Sequence, residues 1–427
     1  MRYNELGTTG LNVSHISLGG AAFSNIYGTF DEKRSLDLIS ESLKLGVNYL
    51  ETGPWYGQGS SEKTIGKALQ NVPRESFFIG SKVGRYELAT EKMFDFTAEK
   101  TEAAVDNTLS LLNLDYVDLI QVHDATFASD TSIVLKETLP ALEKAVRDGK
   151  ARYIGLADYD IDLMKEIIEE SDVKISSVLS YAKSTLFDNR LQNYTKYFKS
   201  KGVSVINAAA TGMGLLSNKG PQPWHPASDD IKAICRRASE YCKERNVELA
   251  RIATWYTLNQ PDIDTNVCGF YNVEQLIDTI DVMEQGLSEN EKQVLAELQM
   301  RFFDKVTLHW DDVELPAYKD KLINTVFRVS FTPLEYLPPK RMVLNPLLLM
   351  QNGILCYLAI APAPGVYCFL EHCFDILNGA FLLTKSTICQ KDAILTSVVK
   401  RFPDVYAAAG ANLVFFSGKT KGGCREC

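Results

Sequence analysis

The run Ile16-Ser17-Leu18-Gly19-Gly20-Ala21-Ala22-Phe23 carries a short apolar strand straight into a glycine pair. An open dinucleotide-binding sheet follows its first strand with Gly-x-Gly-x-x-Gly, a spacing that shapes the turn around a pyrophosphate. That spacing is missing from this run, which argues against a doubly wound sheet. Further short β-like runs follow at residues 48–51, 77–82, 116–123, 153–157, 177–181, 203–208 and 266–269. Between them lie amphipathic stretches such as DEKRSLDLISESLKLG from Asp31 and TAEKTEAAVDNTLSLLN from Thr97. Their apolar residues recur every three or four positions, as helices packed on a sheet require. Eight β/α units in this order predict an α/β fold, a (β/α)8 TIM barrel, over residues 1–321.

Residues 322–427 break the alternation and read as an irregular C-terminal extension of unknown fold. From Met342 to Leu370, 29 residues pass without Asp, Glu, Lys or Arg, which is long enough for a membrane span. Asn345, Pro346, Gln351, Asn352, Gly353, Pro362, Pro364 and Gly365 interrupt that run, so an accessory tail is the preferred reading. The closing GGCREC is a lone Cys-x-x-Cys and gives little support for a metal site.

The chain has 427 residues, 45% hydrophobic and 23% charged, which is enough apolar mass for a large core. Its net charge of −9 argues against nucleic acid or an anionic membrane as partner. The start, MRYNELGTTG, has no basic segment followed by an apolar run, so no signal peptide is expected. Cys235, Cys242 and Cys268 precede residue 330 without disulfide or metal spacing. A reduced cytosolic protein is the expectation. Oligomeric state is not legible.

In a barrel the C-terminal strand ends converge on one mouth. The second strand runs into YLETGPWYGQGSSE and places Glu51 and Tyr56 there; the third supplies Lys82, and the fourth supplies His123. Singly, each has a plainer reading: a packed aromatic, a surface cation, a hydrogen-bonded rim histidine. Together they suit carbonyl–alcohol interconversion. A phenol with a pKa of about 10 is a sluggish acid at neutral pH. An adjacent Lys⁺ favours the phenolate, a carboxylate holds that lysine, and an imidazole N–H polarises a carbonyl.

The series YLETGPWYG, SKVG and QVHD resembles the aldo-keto reductase superfamily. The fragments PWYGQGSSEKTIGKAL, KSKGVSVINAAATGMGLLSNKGPQPWHPAS and GFYNVEQL resemble its L-galactose dehydrogenase-like branch. The resemblance runs from GLNVSHISLGG to VCGFYNVEQL, about three quarters of the chain. It implies a catalytic set of Glu51, Tyr56, Lys82 and His123, with Glu51 standing where the family has Asp. The added methylene leaves two outcomes open: a working enzyme, or a nucleotide-binding regulatory or scaffold protein with weak or no catalysis.

The resemblance also implies a nicotinamide cofactor. Ala157 and Asp158 replace the Ser-Asn that many members carry after the fifth strand, which leaves Ser180 and Tyr181 as candidate nicotinamide contacts. The adenosine end is expected at Gly269, Phe270, Tyr271, Asn272 and Gln275, where a helix N-terminus offers free N–H groups to phosphate. That stretch has no Lys or Arg and carries Glu274 and Asp278 nearby, so NAD is favoured over NADP unless a cation folds in from elsewhere. The implied reaction is oxidation of an aldose hemiacetal of L-galactose or D-threo type to a lactone, or reduction of a carbonyl. Trp55 and Trp224 are candidate substrate contacts, and His225 belongs to a pocket-shaping loop with no second metal ligand in sight.

Overall fold

A computed structural model describes residues 1–304, 306–307, 309–330, 345–351, 354–360 and 369–375. The chain divides into two compact units, Met1–Thr332 and Pro333–Cys427. The first opens with a hairpin of β1 (Tyr3–Glu5) and β2 (Asn12–Ser14). Eight parallel strands then close into a barrel: β3 (Ile16–Gly19), β4 (Tyr49–Glu51), β5 (Phe78–Val83), β6 (Val117–His123), β7 (Ala151–Asp158), β8 (Ser177–Tyr181), β9 (Ser204–Ala208) and β10 (Thr265–Cys268). The expected barrel is what the chain forms, each strand lying within two residues of its expected bounds. In the second unit β11 (Asn345–Gln351), β12 (Ile354–Ile360) and β13 (Phe369–Asp375) form an antiparallel sheet. The uncharged run 342–370 therefore holds β11, β12 and the first two residues of β13. Among the described residues no helix is long and apolar enough to cross a membrane. The terminal Cys-x-x-Cys lies outside the described residues.

Helices start where side chains can satisfy their first N–H groups. Asp31 caps Glu32–Lys44, Thr97 caps Ala98–Leu112, and Ser288 opens Glu289–Leu298 with a full capping box. Each helix lays an apolar stripe on the sheet; Leu38, Ile39, Val105 and Leu112 are fully buried there. Inside the barrel a second cluster joins Tyr49, Leu119, Leu179, Ile206 and Val267. Leu6, Leu11 and Val13 of the hairpin complete it, so the N-terminal end of the barrel is plugged.

The glycine pair after β3 has a packing cause. A Cβ at Gly20 would lie 2.8 Å from the Glu51 carbonyl oxygen and 2.5 Å from Ser61 Oγ. The turn needs glycine to bring the first two strand ends together. At Gly66 the close neighbours are backbone: a Cβ would approach Leu111 O to 2.6 Å and Leu112 O to 2.7 Å. Gly66→Ala gains about 1 kcal/mol of helix propensity. It loses more by forcing two helices apart, because overpacking costs about 1–3 kcal/mol. The expected outcome is a lower urea midpoint with an unchanged m-value.

Candidate active site

Register places the charged strand ends on one face. Glu51 pairs with Gly80, and Lys82 lies one pleat further on β5. Lys82 pairs with Gln121, and His123 lies one pleat further on β6. Side chains two residues apart share a face, so Glu51, Lys82 and His123 all point into the barrel, stepping toward its C-terminal mouth. Tyr56 follows on the turn after β4. Its N–H bonds to Gly53 O at 3.1 Å, which folds the loop back over Lys82.

These four residues come together. Lys82 is 1% exposed and Glu51 3%. Their side chains form a direct ion pair, and Lys82 Nζ also donates to Thr52 O at 2.7 Å. The longer carboxylate at position 51 therefore still reaches the lysine. Lys82 Nζ lies 4.6 Å from the centre of the Tyr56 ring. The His123 ring meets Tyr56 edge-on at 5.9 Å, and Nδ1 of this imidazole is buried with no partner among the described residues.

Electrostatics differ from the expectation in one respect. Burial raises the Tyr56 pKa, helped by Asp124 and Tyr27, and Arg85 opposes it. Desolvation thus outweighs the cation that opposes it, Arg85. Burial also drives Lys82 well below its ordinary value, with Asp124 opposing. The contact with Glu51 favours the charged lysine. His123 is pushed down to about 3, first by burial and then by Lys82 and Arg85, against Asp124. Its imidazole is neutral at physiological pH and so has one N–H to offer.

That depressed value links to stability. Between pH 6.5 and about 3 the unfolded chain takes a proton that folded His123 refuses. Stability is lost as pH falls through that window, at about 1 kcal/mol per unit from this group. His123→Gln is expected to lose less stability than wild type between pH 7 and pH 5. Urea melts of both proteins at the two pH values check this; parallel losses would assign His123 an ordinary titration.

Sequence reasoning missed a ring of residues around the tetrad. Asp124 follows His123 with φ of 56°, a left-handed turn that aspartate tolerates. Arg85 Nη1 donates to Asp124 Oδ2 at 2.7 Å and its guanidinium stacks 3.9 Å from the Trp55 ring centre. Both lie within three residues of a tetrad member, so KVGR and QVHD held the signal. Tyr27 packs on Trp224 at 5.7 Å. Trp224 stands 47% exposed at the rim, and Trp55 Nε1, beside Tyr56, is buried with no partner among the described residues. Glu314 and Tyr318 come from the helix Asp311–Ser330, which starts before the boundary drawn at residue 321. No local motif announces them.

Asp158 is clamped: its carboxylate accepts the Asp160 and Thr126 N–H groups, both at 3.0 Å. Burial and Asp124 raise it to about 8. Among the described residues Ser180 Oγ, buried at the neighbouring strand end, has no hydrogen-bond partner, which suits it to a carboxamide. Farther round, Asn272 caps Val273–Gln285 and Gln275 turns back onto the Tyr271 N–H at 2.7 Å. Phe270 is buried, and a Cβ at Gly269 would meet only Ala22 at 3.6 Å, an ordinary contact. Arg34 stacks 3.7 Å from the centre of the Tyr271 ring. A cation has thus folded in beside a stretch that has none of its own. His225 is buried between Gly212 O and the Ala227 N–H, with Trp310 edge-on at 5.1 Å, and so is fixed as a loop support. Among the described residues no three His, Cys, Asp or Glu side chains gather as a metal site.

The model of the Aldo/keto reductase family matches residues 15–299. The chain belongs to this family. It is 35% identical to L-galactose dehydrogenase of Arabidopsis thaliana, over 64% of this chain and 86% of that one. It is 30% identical to D-arabinose 1-dehydrogenase of Saccharomyces cerevisiae, over 68% and 91%. Among solved structures, an aldo-keto reductase from Bacillus halodurans in its holo form superposes with a TM-score of 0.57 at 27% identity, covering 70% of this chain and 96% of that one. Membership makes this an aldo-keto-reductase-type oxidoreductase that uses NAD(P).

Proposed function

We propose that this aldo-keto reductase is an aldose 1-dehydrogenase of the L-galactose dehydrogenase-like branch, preferring NAD, with Tyr56 as its proton-transfer residue. The observation that carries the reading is the buried set of Tyr56 over Lys82, Lys82 on Glu51, and His123 edge-on to Tyr56. Because Glu51 reaches Lys82, the substitution at this position does not dismantle the lysine's support. The sugar names of the two relatives point the same way.

The nicotinamide supplies the hydride acceptor or donor when bound. Oxidation then takes a hydride from C1 of the sugar and a proton from its anomeric hydroxyl. The Tyr56 oxygen receives that proton as a phenolate, which Lys82, held beside the ring by Glu51 and Thr52 O, favours through its charge. The neutral His123 N–H binds the anomeric oxygen as it becomes a carbonyl. Reduction runs the same steps backwards. Ser180 would hold the carboxamide and Tyr181 would line the ring's pocket. The N-terminus of Val273–Gln285, with Gly269, Phe270, Tyr271, Asn272 and Gln275, would take the adenosine end. Trp55 and Trp224 flank the sugar.

NAD is proposed because residues 269–275 lack a cation and Arg34 is already engaged, on the Tyr271 ring and on Thr29 O at 3.0 Å. The test follows formation of reduced nicotinamide from L-galactose, D-arabinose and related aldoses, with NAD and NADP separately, in wild type and Tyr56→Phe. Aldose-dependent NADH formation that requires Tyr56 is the expected result. Equal kcat/KM with NADP would reassign Arg34 to the 2′-phosphate. Silence with every aldose would overturn the dehydrogenase reading.

A further inference from the structure

The helix Asp311–Ser330 is pinned across the barrel mouth at two points. Asp311 pairs with Lys183 and, at 2.7 Å, with Arg190, both on the loop that follows β8. Two turns on, Tyr318 packs edge-on against Phe94 at 5.1 Å and Phe127 at 5.4 Å, which follow β5 and β6. Residues three and four apart share a helix face, so Glu314 lies on the same face, between these anchors.

Glu314 is partly buried, and its carboxylate lies within electrostatic reach of Arg85, Asp124, Tyr27, Tyr159 and Tyr181. Glu314 is thus carried between the loop after β8, held by Asp311, and the Phe94 and Phe127 rings, held by Tyr318, on the side of the mouth where Arg85 and Tyr159 pack on those same rings. Two buried polar atoms on this side have no partner among the described residues: the hydroxyl of Tyr159, a residue only 9% exposed, and Nε1 of Trp55, whose ring stacks on the Arg85 guanidinium that also lies 5.3 Å from the Phe94 ring. Tyr159 meets Phe127 edge-on at 6.1 Å, the ring that also holds Tyr318. Acceptor, donor and hydroxyl thus line one wall of the mouth. Buried polar atoms ask for partners, and a polyol supplies several at once.

We propose that Glu314 is a specificity-determining residue that accepts hydrogen bonds from substrate hydroxyls beyond the reacting carbon, with Tyr159 and Trp55 Nε1 completing the subsite. A carboxylate takes two such bonds from neighbouring hydroxyls, and charge-assisted bonds are the stronger kind. Its charge also repels anionic sugars, so a neutral aldose is preferred over a uronate or a sugar phosphate. This inference rests on the aldose reading above.

The test compares full-length wild type, Glu314→Gln and Glu314→Ala on L-galactose oxidation, on galacturonate, and on reduction of 4-nitrobenzaldehyde, which has no hydroxyl. Thermal melts check folding. Glu314→Ala is expected to lose about 10- to 100-fold in kcat/KM for L-galactose. The loss should be at least tenfold greater than that for the aldehyde, and discrimination against galacturonate should shrink. Equal losses on both substrates would make Glu314 part of a merely structural strap and overturn the proposal, as would an unchanged value for L-galactose. If wild type reduces the aldehyde and oxidises no aldose, the dehydrogenase reading fails by itself. Galactitol inhibition of aldehyde reduction then decides the subsite: a weaker inhibition constant in Glu314→Gln supports it, and an equal one overturns it.

Discussion

Tyr56→Phe is expected to lower kcat for aldose oxidation by about 10²- to 10⁴-fold, the range for losing a positioned proton-transfer group. The change removes one oxygen and keeps the ring. Trp55 at 6.2 Å, His123 at 5.9 Å and Lys82 at 4.6 Å surround the centre of that ring, which the change leaves in place, so the site should keep its shape. Nucleotide affinity should move by no more than about twofold, since no new charge is exposed. Single-turnover absorbance gives the first quantity and quenching of protein fluorescence by NADH gives the second. Turnover retained within tenfold would remove Tyr56 from the chemistry. Tight nucleotide binding beside lost turnover would separate binding from proton transfer.

Lys82→Met tests the support under that tyrosine and carries the largest stability effect. The lysine is buried, pairs with Glu51 and donates to Thr52 O. Removing it leaves the Glu51 carboxylate buried without its counter-charge. Breaking one side of a buried pair costs about 3–5 kcal/mol. Activity should fall at least as far as in Tyr56→Phe, because the cation that favours the Tyr56 phenolate is gone. The double variant Lys82→Met with Glu51→Gln separates the two effects. It removes both charges, so most of the stability should return while activity stays lost. Urea denaturation and steady-state kinetics on the three proteins check this. A double variant no more stable than Lys82→Met would place the cost in packing, not in the orphaned charge.

Much of this was legible beforehand, and for a local reason. Strands alternate with period two and helices with period three and four, so the eight barrel strands and the helices capped by Asp31 and Thr97 stand out in the chain. The same parity put Glu51, Lys82 and His123 on one side of their strands. Other features depend on residues far apart. The sign of the Tyr56 shift was expected to follow Lys82, yet burial sets it, and burial belongs to an enclosed volume that no short stretch encodes.

The amino-acid order by itself determined the barrel, the strand ends that carry the chemistry, and the absence of a cation from residues 269–275. Each follows from spacing along a few neighbouring residues. The tertiary structure alone decided that Glu51 meets Lys82, that Arg34 of the first helix lies on Tyr271, and that Glu314 is held over the mouth by Asp311 and Tyr318. Those contacts join segments tens to hundreds of residues apart, and closure of the barrel and packing of its last helix bring them together.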